Sequence, residues 1–103
     1  MAGSGFVAVL VIDLHFPDAE SLKGKRKDLS SVKAQLHGRL GAAVSEIEHQ
    51  DTWQRSTLAA ALTGSSLAAL SAHADRVERW LERRFPDGVS VERLVASVED
   101  LRQ

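Results

Sequence analysis

The chain contains no cysteine among its 103 residues, which removes disulfides, thiolate metal sites and a cysteine nucleophile. A long apolar run is also missing. The longest, Phe6 to Ile12, is far short of the roughly 20 residues needed to cross a bilayer. No charged segment precedes it, so it does not read as a signal peptide, and a cytoplasmic location is expected. There is no excess of positive charge either. With 13 Lys and Arg against 14 Asp and Glu the net charge is −1, which argues against strong non-specific attraction to nucleic acid. Walker A, dinucleotide-binding and serine-nucleophile motifs do not occur, nor do internal repeats or low-complexity tracts.

What is present is ordinary for a folded domain: 44% apolar and 26% charged residues, enough for one core at this length. Met1 to Gly5 is small and polar and is expected to be a flexible lead. Residues 6–103 are then one domain. Phe6 to Phe16 predicts a first strand, apolar on both alternating faces. Phe6, Ala8, Leu10, Ile12 and Leu14 share one face, and Val7, Val9 and Val11 share the other. Such a strand belongs in the middle of a sheet. Ser21 is placed to cap a helix from Leu22 to about Arg39, with Leu22, Leu29, Val32, Leu36 and Leu40 on its buried stripe. Gly38 and Gly41 bracket its exit.

Ala42 to Glu48 and Trp53 to Thr63 predict the second and third strands, joined by a hairpin at His49-Gln50-Asp51-Thr52. Ser65 or Ser66 caps a second helix reaching about Arg84, with Leu67, Leu70, Ala74, Val77 and Leu81 as its apolar stripe. Phe85 to Gly88 is a turn, and Val89 to about Leu101 supplies the last strand. The order βαββαβ predicts an α+β, ferredoxin-like sandwich. In it, two helices lie on one face of a four-stranded antiparallel sheet. Val7, Val9, Val11, Ala59 and Ala61 fall on the uncovered face. A homodimer through that face is one expectation; a C-terminal tail folded over it is the other.

The first helix breaks a local electrostatic rule. Lys23, Lys25, Arg26 and Lys27 crowd the positive end of its dipole, where carboxylates are usual. Cations beside free backbone N–H groups suit an anion such as phosphate. The plainer reading is a solvated basic face, paired in part with Asp18, Glu20 and Asp28. Topology brings this helix start to the same end of the molecule as residues 49–55, with Arg83 and Arg84 nearby. There Asp13 and His15 share a strand face, and an Asp13–Arg55 ion pair is expected. Glu46 is expected to reach Lys25 or Arg26 and fix the helix start. Asp51 belongs with Asp13, His15 and Glu46 as an orienting residue. Trp53, on the open face at the rim, would stack on a base, anchor a partner, or pack in a dimer interface. Partial core burial is expected for Trp80. A metal site from His15, Glu48, His49 and Asp51 is rejected for lack of ligand spacing, and no cofactor is implied.

Two stretches carry a resemblance. Ser21-Leu22-Lys23-Gly24-Lys25-Arg26 and Gln50-Asp51-Thr52-Trp53-Gln54-Arg55, with Glu46, resemble the S-L-K-x-K-R and Q-D-x-W-Q-R motifs of the YlxP-like bacterial family of unknown function. The resemblance runs from about Phe6 to Thr63 and implies a ferredoxin-like fold. The family's genes often lie near those for translation initiation and ribosome maturation factors, which implies a translation-linked or RNA-linked role. Gly24, the alanine-rich Leu58 to Leu62 and the segment from Asp87 depart from the family pattern.

Three functions are consistent with these residues. The first is a binding module for RNA or a ribonucleoprotein, with Lys23, Lys25, Arg26, Lys27 and Arg55 on phosphates and Trp53 stacking. The second is a non-catalytic homo-oligomeric scaffold or regulator. The third is a small enzyme on a phosphorylated metabolite, in which His15 or Glu46 moves protons.

Overall fold

The structure, a computed structural model, describes residues 5–103. Of the expected lead, Met1 to Ser4 lie outside the described residues, and the Gly5 carbonyl accepts a hydrogen bond from Val98 N–H. The elements run β1 (Phe6–His15), α1 (Leu22–Gly38), β2 (Ala43–Glu48), β3 (Arg55–Gly64), α2 (Leu67–Arg84), β4 (Val89–Ser97) and a short α3 (Val98–Leu101). The sheet order is β2-β3-β1-β4 and all three pairings are antiparallel. This is the ferredoxin-like α+β arrangement.

β1 is central because both of its faces are apolar. Its even residues Ala8, Leu10, Ile12 and Leu14 enter the core, and Val7, Val9, Val11 and Asp13 are half-buried on the open face. Leu58, Ala60 and Leu62 of β3 point the same way as the even set. The helices close that layer with Leu29, Val32 and Leu36 from α1 and Leu70, Ala74, Val77 and Leu81 from α2. Each fully buried Leu, Ile or Val contributes roughly 1.5–3 kcal/mol against exposure.

Local chemistry sets the helix ends. The Ser21 hydroxyl accepts from Gly24 N–H at 3.0 Å and the Ser66 hydroxyl from Ala69 N–H at 3.1 Å. Ala42 N–H bonds Leu36 C=O and Gly41 N–H bonds His37 C=O, while Gly41 adopts φ +68°. This left-handed closure suits glycine.

Several boundaries differ from expectation. β4 stops at Ser97 rather than continuing to Leu101, because the Ser97 hydroxyl accepts from Asp100 N–H and starts α3. β4 and α3 do not fold over the open face; β4 lies at the sheet edge beside β1. β1 ends at His15, one residue early, and Phe16 turns into the core against Phe85, edge to face at 5.6 Å. β3 begins at Arg55, so Trp53 belongs to the connection before it. Leu67 was expected on the buried stripe of α2 but is exposed at the first turn of that helix. Trp80 packs, partly buried, against the core as expected.

Candidate functional site

The start of α1, the end of β1 and the 49–54 connection meet at one pole, as element order requires. Phe16 N–H donates to Gln54 C=O at 2.9 Å. The Gln54 side-chain amide reaches back to the carbonyls of Pro17 and Ala19 at 3.5 and 3.4 Å. His15 N–H bonds Gly88 C=O, which adds the turn after α2 to the same pole.

Lys25 joins the parts. It has 0% exposure, its ammonium lies 3.0 Å from Glu46 Oε2, and it donates to the His49 carbonyl at 2.5 Å. Glu46 also accepts from the Ser56 hydroxyl at 2.5 Å. Burial pushes the Glu46 carboxyl up, but the Ser56 hydroxyl and the Lys25 ammonium outweigh it and hold the group below its ordinary range,. The expectation that Glu46 fixes the helix start is therefore met through Lys25. The expectation that Lys25 contacts a ligand needs correction: its ammonium is fully buried and held by Glu46 and the His49 carbonyl, so no surface remains for a phosphate. Glu46, held ionised through the contacts of Lys25 and Ser56 to its Oε2, is also unsuited to donating a proton near neutrality.

Asp13 and Arg55 pair at 3.3 Å, and the Thr57 hydroxyl donates to the same carboxylate oxygen at 2.8 Å. The Thr57 bond, with Arg55 adding to it, holds the Asp13 carboxyl below the usual range against the opposing effect of burial. Arg55 remains part-exposed, with its guanidinium engaged.

The remaining cations of the helix start are free. Lys23, Arg26 and Lys27 are exposed, and among the described residues none forms an ion pair with Asp18, Glu20 or Asp28. No acidic residue occupies the first turn of α1. Trp53 stands 47% exposed in the connection that Lys25 and Gln54 tether. Gln50 and Asp51 are exposed beside it, with the Gln50 amide on the Glu46 carbonyl. His49 makes the turn at φ 65° after a bulge between Glu46 and Glu48.

At the same pole, a groove of about 580 Å³ runs between the 15–19 and 84–88 segments and α1. Its charged lining is Asp18, Asp28 and Asp87 against Arg84, with His15 at one end. That balance repels a phosphorylated metabolite. Nothing in the sequence spacing marked this groove, because its carboxylates come from three separate segments. Among the described residues no three His, Asp or Glu side chains converge in a metal-binding cluster, and no helix is long and apolar enough to cross a membrane.

Residues 7–94 match the family described as "Protein of unknown function (DUF503)". Over 82 residues the chain is 33% identical to "Uncharacterized protein YlxP" of Bacillus subtilis (strain 168), covering 80% of this chain and 85% of that protein. Among solved structures, "De novo designed protein Foldit4" superposes with a TM-score of 0.61 at 9% identity, covering 90% of this chain and 97% of that one. That last likeness is one of fold alone.

Proposed function

The chain belongs to the DUF503 family of proteins of unknown function, and on that premise we propose that it is a non-catalytic binding module for single-stranded RNA. The observation that carries this reading is Trp53. A 47% exposed indole on a connection tethered by Lys25 and Gln54 is a pre-ordered stacking platform,. Lys23, Arg26 and Lys27 stand unpaired at the adjoining helix start. They supply phosphate contacts, and the helix dipole favours the same sign of ligand. Arg55 adds a partly exposed guanidinium. The carboxylates of Asp18, Asp28 and Asp87 line a separate groove at this pole, and the net charge is −1. A cytoplasmic, translation-linked setting fits such a module.

The test is fluorescence anisotropy of a labelled single-stranded RNA at low salt. Binding that weakens as salt rises and is weaker in Trp53→Ala supports the reading. No binding at low salt overturns it.

A second reading, the homo-oligomeric scaffold, is favoured by the open sheet face. There Val7, Val9, Val11, Ala59 and Ala61 form an apolar strip between β1 and β3, and no further layer among the described residues covers it. Ala61→Glu places a charge in that strip without touching the core. Loss of self-association in this variant would support the scaffold reading, and unchanged association would remove the face from it.

A further inference from the structure

The two edges of the sheet are built differently. The β2 edge is six residues long, carries Glu46 and Glu48, and is broken by the bulge between them. Bulges and charges are devices that keep a sheet edge from pairing with another chain. β4 has no bulge, and its two charges, Glu92 and Arg93, are of opposite sign. It pairs with β1 without a register break from Val89 to Ser97 and contains no proline.

Two hydrogen bonds fix which backbone groups of β4 are free. His15 N–H donates to Gly88 C=O at one end of the β1–β4 ladder, and Val98 N–H donates to Gly5 C=O at the other. Both pairs lie in the same register as Leu14↔Val89 and Phe6↔Ser97. In an antiparallel ladder the hydrogen-bonded pairs alternate. The even residues of β4 therefore bond to β1. The N–H and C=O groups of Val89, Val91, Arg93 and Val95 face outward, and among the described residues they have no partner.

Apolar side chains are exposed at this edge on both sheet faces, beside Glu92 on one and Arg93 on the other. Leu94 is 50% exposed on the open face and Val95 is 52% exposed on the helix face. Val95 lines a shallow groove of about 230 Å³ with Leu67, Leu70 and Ala74 of α2.

We infer that β4 is a dimerisation edge: two copies pair their β4 strands antiparallel about Arg93, joining two four-stranded sheets into one. Three features select a second copy as the occupant. The free groups fall at 91, 93 and 95, so a two-fold axis at Arg93 matches every donor with an acceptor: Val91 with Val95, Arg93 with Arg93. Val91 of one copy then meets Val95 of the other and closes the α2–β4 groove with apolar surface. The charge on the axis is already balanced, because each Arg93 is held by Asp75, at 2.5 Å, and by Glu78 of its own α2. Like charges facing each other across strands would otherwise oppose pairing. Pairing β4 with the bulged, acidic β2 of another copy is disfavoured, so the assembly closes as a dimer rather than a filament.

The experiment is sedimentation equilibrium of the full chain and three variants. The native chain is expected to be a dimer. Val95→Pro removes an outward N–H while sparing the β1 ladder and is expected to give a folded monomer by circular dichroism. Ala61→Glu, on the open face, is expected to remain a dimer. Glu92 and Leu94 of opposite copies form a non-hydrogen-bonded pair with Cα atoms about 4.5 Å apart, within disulfide reach. Glu92→Cys/Leu94→Cys should therefore oxidise to a covalent dimer, and this arm decides the matter should Val95→Pro fail to fold. A chain monomeric at millimolar concentration, with fast-exchanging amides at Val91, Arg93 and Val95, overturns the inference and leaves the edge to an extended peptide of another protein. A dimer that survives Val95→Pro and is lost in Ala61→Glu overturns it in favour of the open face. The RNA titration has no bearing on either outcome.

Discussion

Lys25 and Glu46, 3.0 Å apart, tie the start of α1 to the end of β2. The pair is the fixed point from which the 49–54 connection is hung, because the same ammonium holds the His49 carbonyl. Lys25→Met keeps the apolar stem and removes the charge, leaving Glu46 short of its cation. Breaking a buried pair from one side costs about 3–5 kcal/mol. The double variant Lys25→Met/Glu46→Gln removes both charges and is expected to lose less than the sum of the single losses. Urea denaturation of the four proteins of this cycle measures the difference.

The same pair predicts a stability loss in acid. The folded Glu46 carboxyl titrates below its ordinary 4.5, so the unfolded chain binds that proton first. The contribution is fully present above the unfolded pKa and fades as pH falls from about 4.5 through the lower folded value. Asp13, also lowered by Thr57 and Arg55, adds to the trend just below it. Unfolding midpoints in urea between neutrality and acid should fall over that window. Glu46→Gln should flatten the drop, and a native slope that this variant leaves unchanged would refute the assignment.

The two glycines at the exit of α1 carry opposite expectations. Gly38 closes the helix with open space around a would-be Cβ. Gly38→Ala should therefore stabilise by about 0.4–1 kcal/mol through the unfolded state. Gly41 sits at φ +68°, and a Cβ there would meet only the His73 ring at 3.6 Å, an ordinary contact. The cost of Gly41→Ala is in the backbone, about 1–2 kcal/mol. Thermal midpoints of the two variants should move in opposite directions.

The strand and helix layout was legible because β1 and the two helices carry strong periodicity over long stretches. The role of Lys25 was half legible. Its partner Glu46 is nameable from the sequence, but charge alone puts Lys25 with the surface cations, although it falls four residues before Leu29, on the row that Leu29, Val32 and Leu36 continue. The spacing held the signal; the charge masked it. The end of β4 was lost for a related reason. Val95 and Val98 extend a strand pattern, while the cap at Ser97 followed by Glu99 and Asp100 is a short helix signal that the strand pattern overlies. The position of Trp53 and the acidic groove were not legible. The first depends on a bulge that no turn dipeptide announces, and the second on three segments meeting in space.

Phosphate contact and base stacking are separable at this pole, and salt separates them. Lys23, Arg26 and Lys27 act through counterion release, each neutralised phosphate contributing about 0.7 to the slope of log K against log salt for a single strand. Replacing all three by Ala should lower that slope by about 2. Trp53→Ala should instead cost about 1–3 kcal/mol of affinity with the slope unchanged, because stacking releases no ions. Lys25→Met touches neither contact directly. It frees the His49 carbonyl and loosens the platform, so its affinity loss should resemble that of Trp53→Ala and not that of the triple variant. Binding isotherms of the native chain and these variants on one single-stranded RNA, each over a salt series, give all the slopes and intercepts. A Lys25→Met slope lowered by as much as the triple variant's would mean that the ammonium reaches the ligand and that its burial against Glu46 does not persist in the complex.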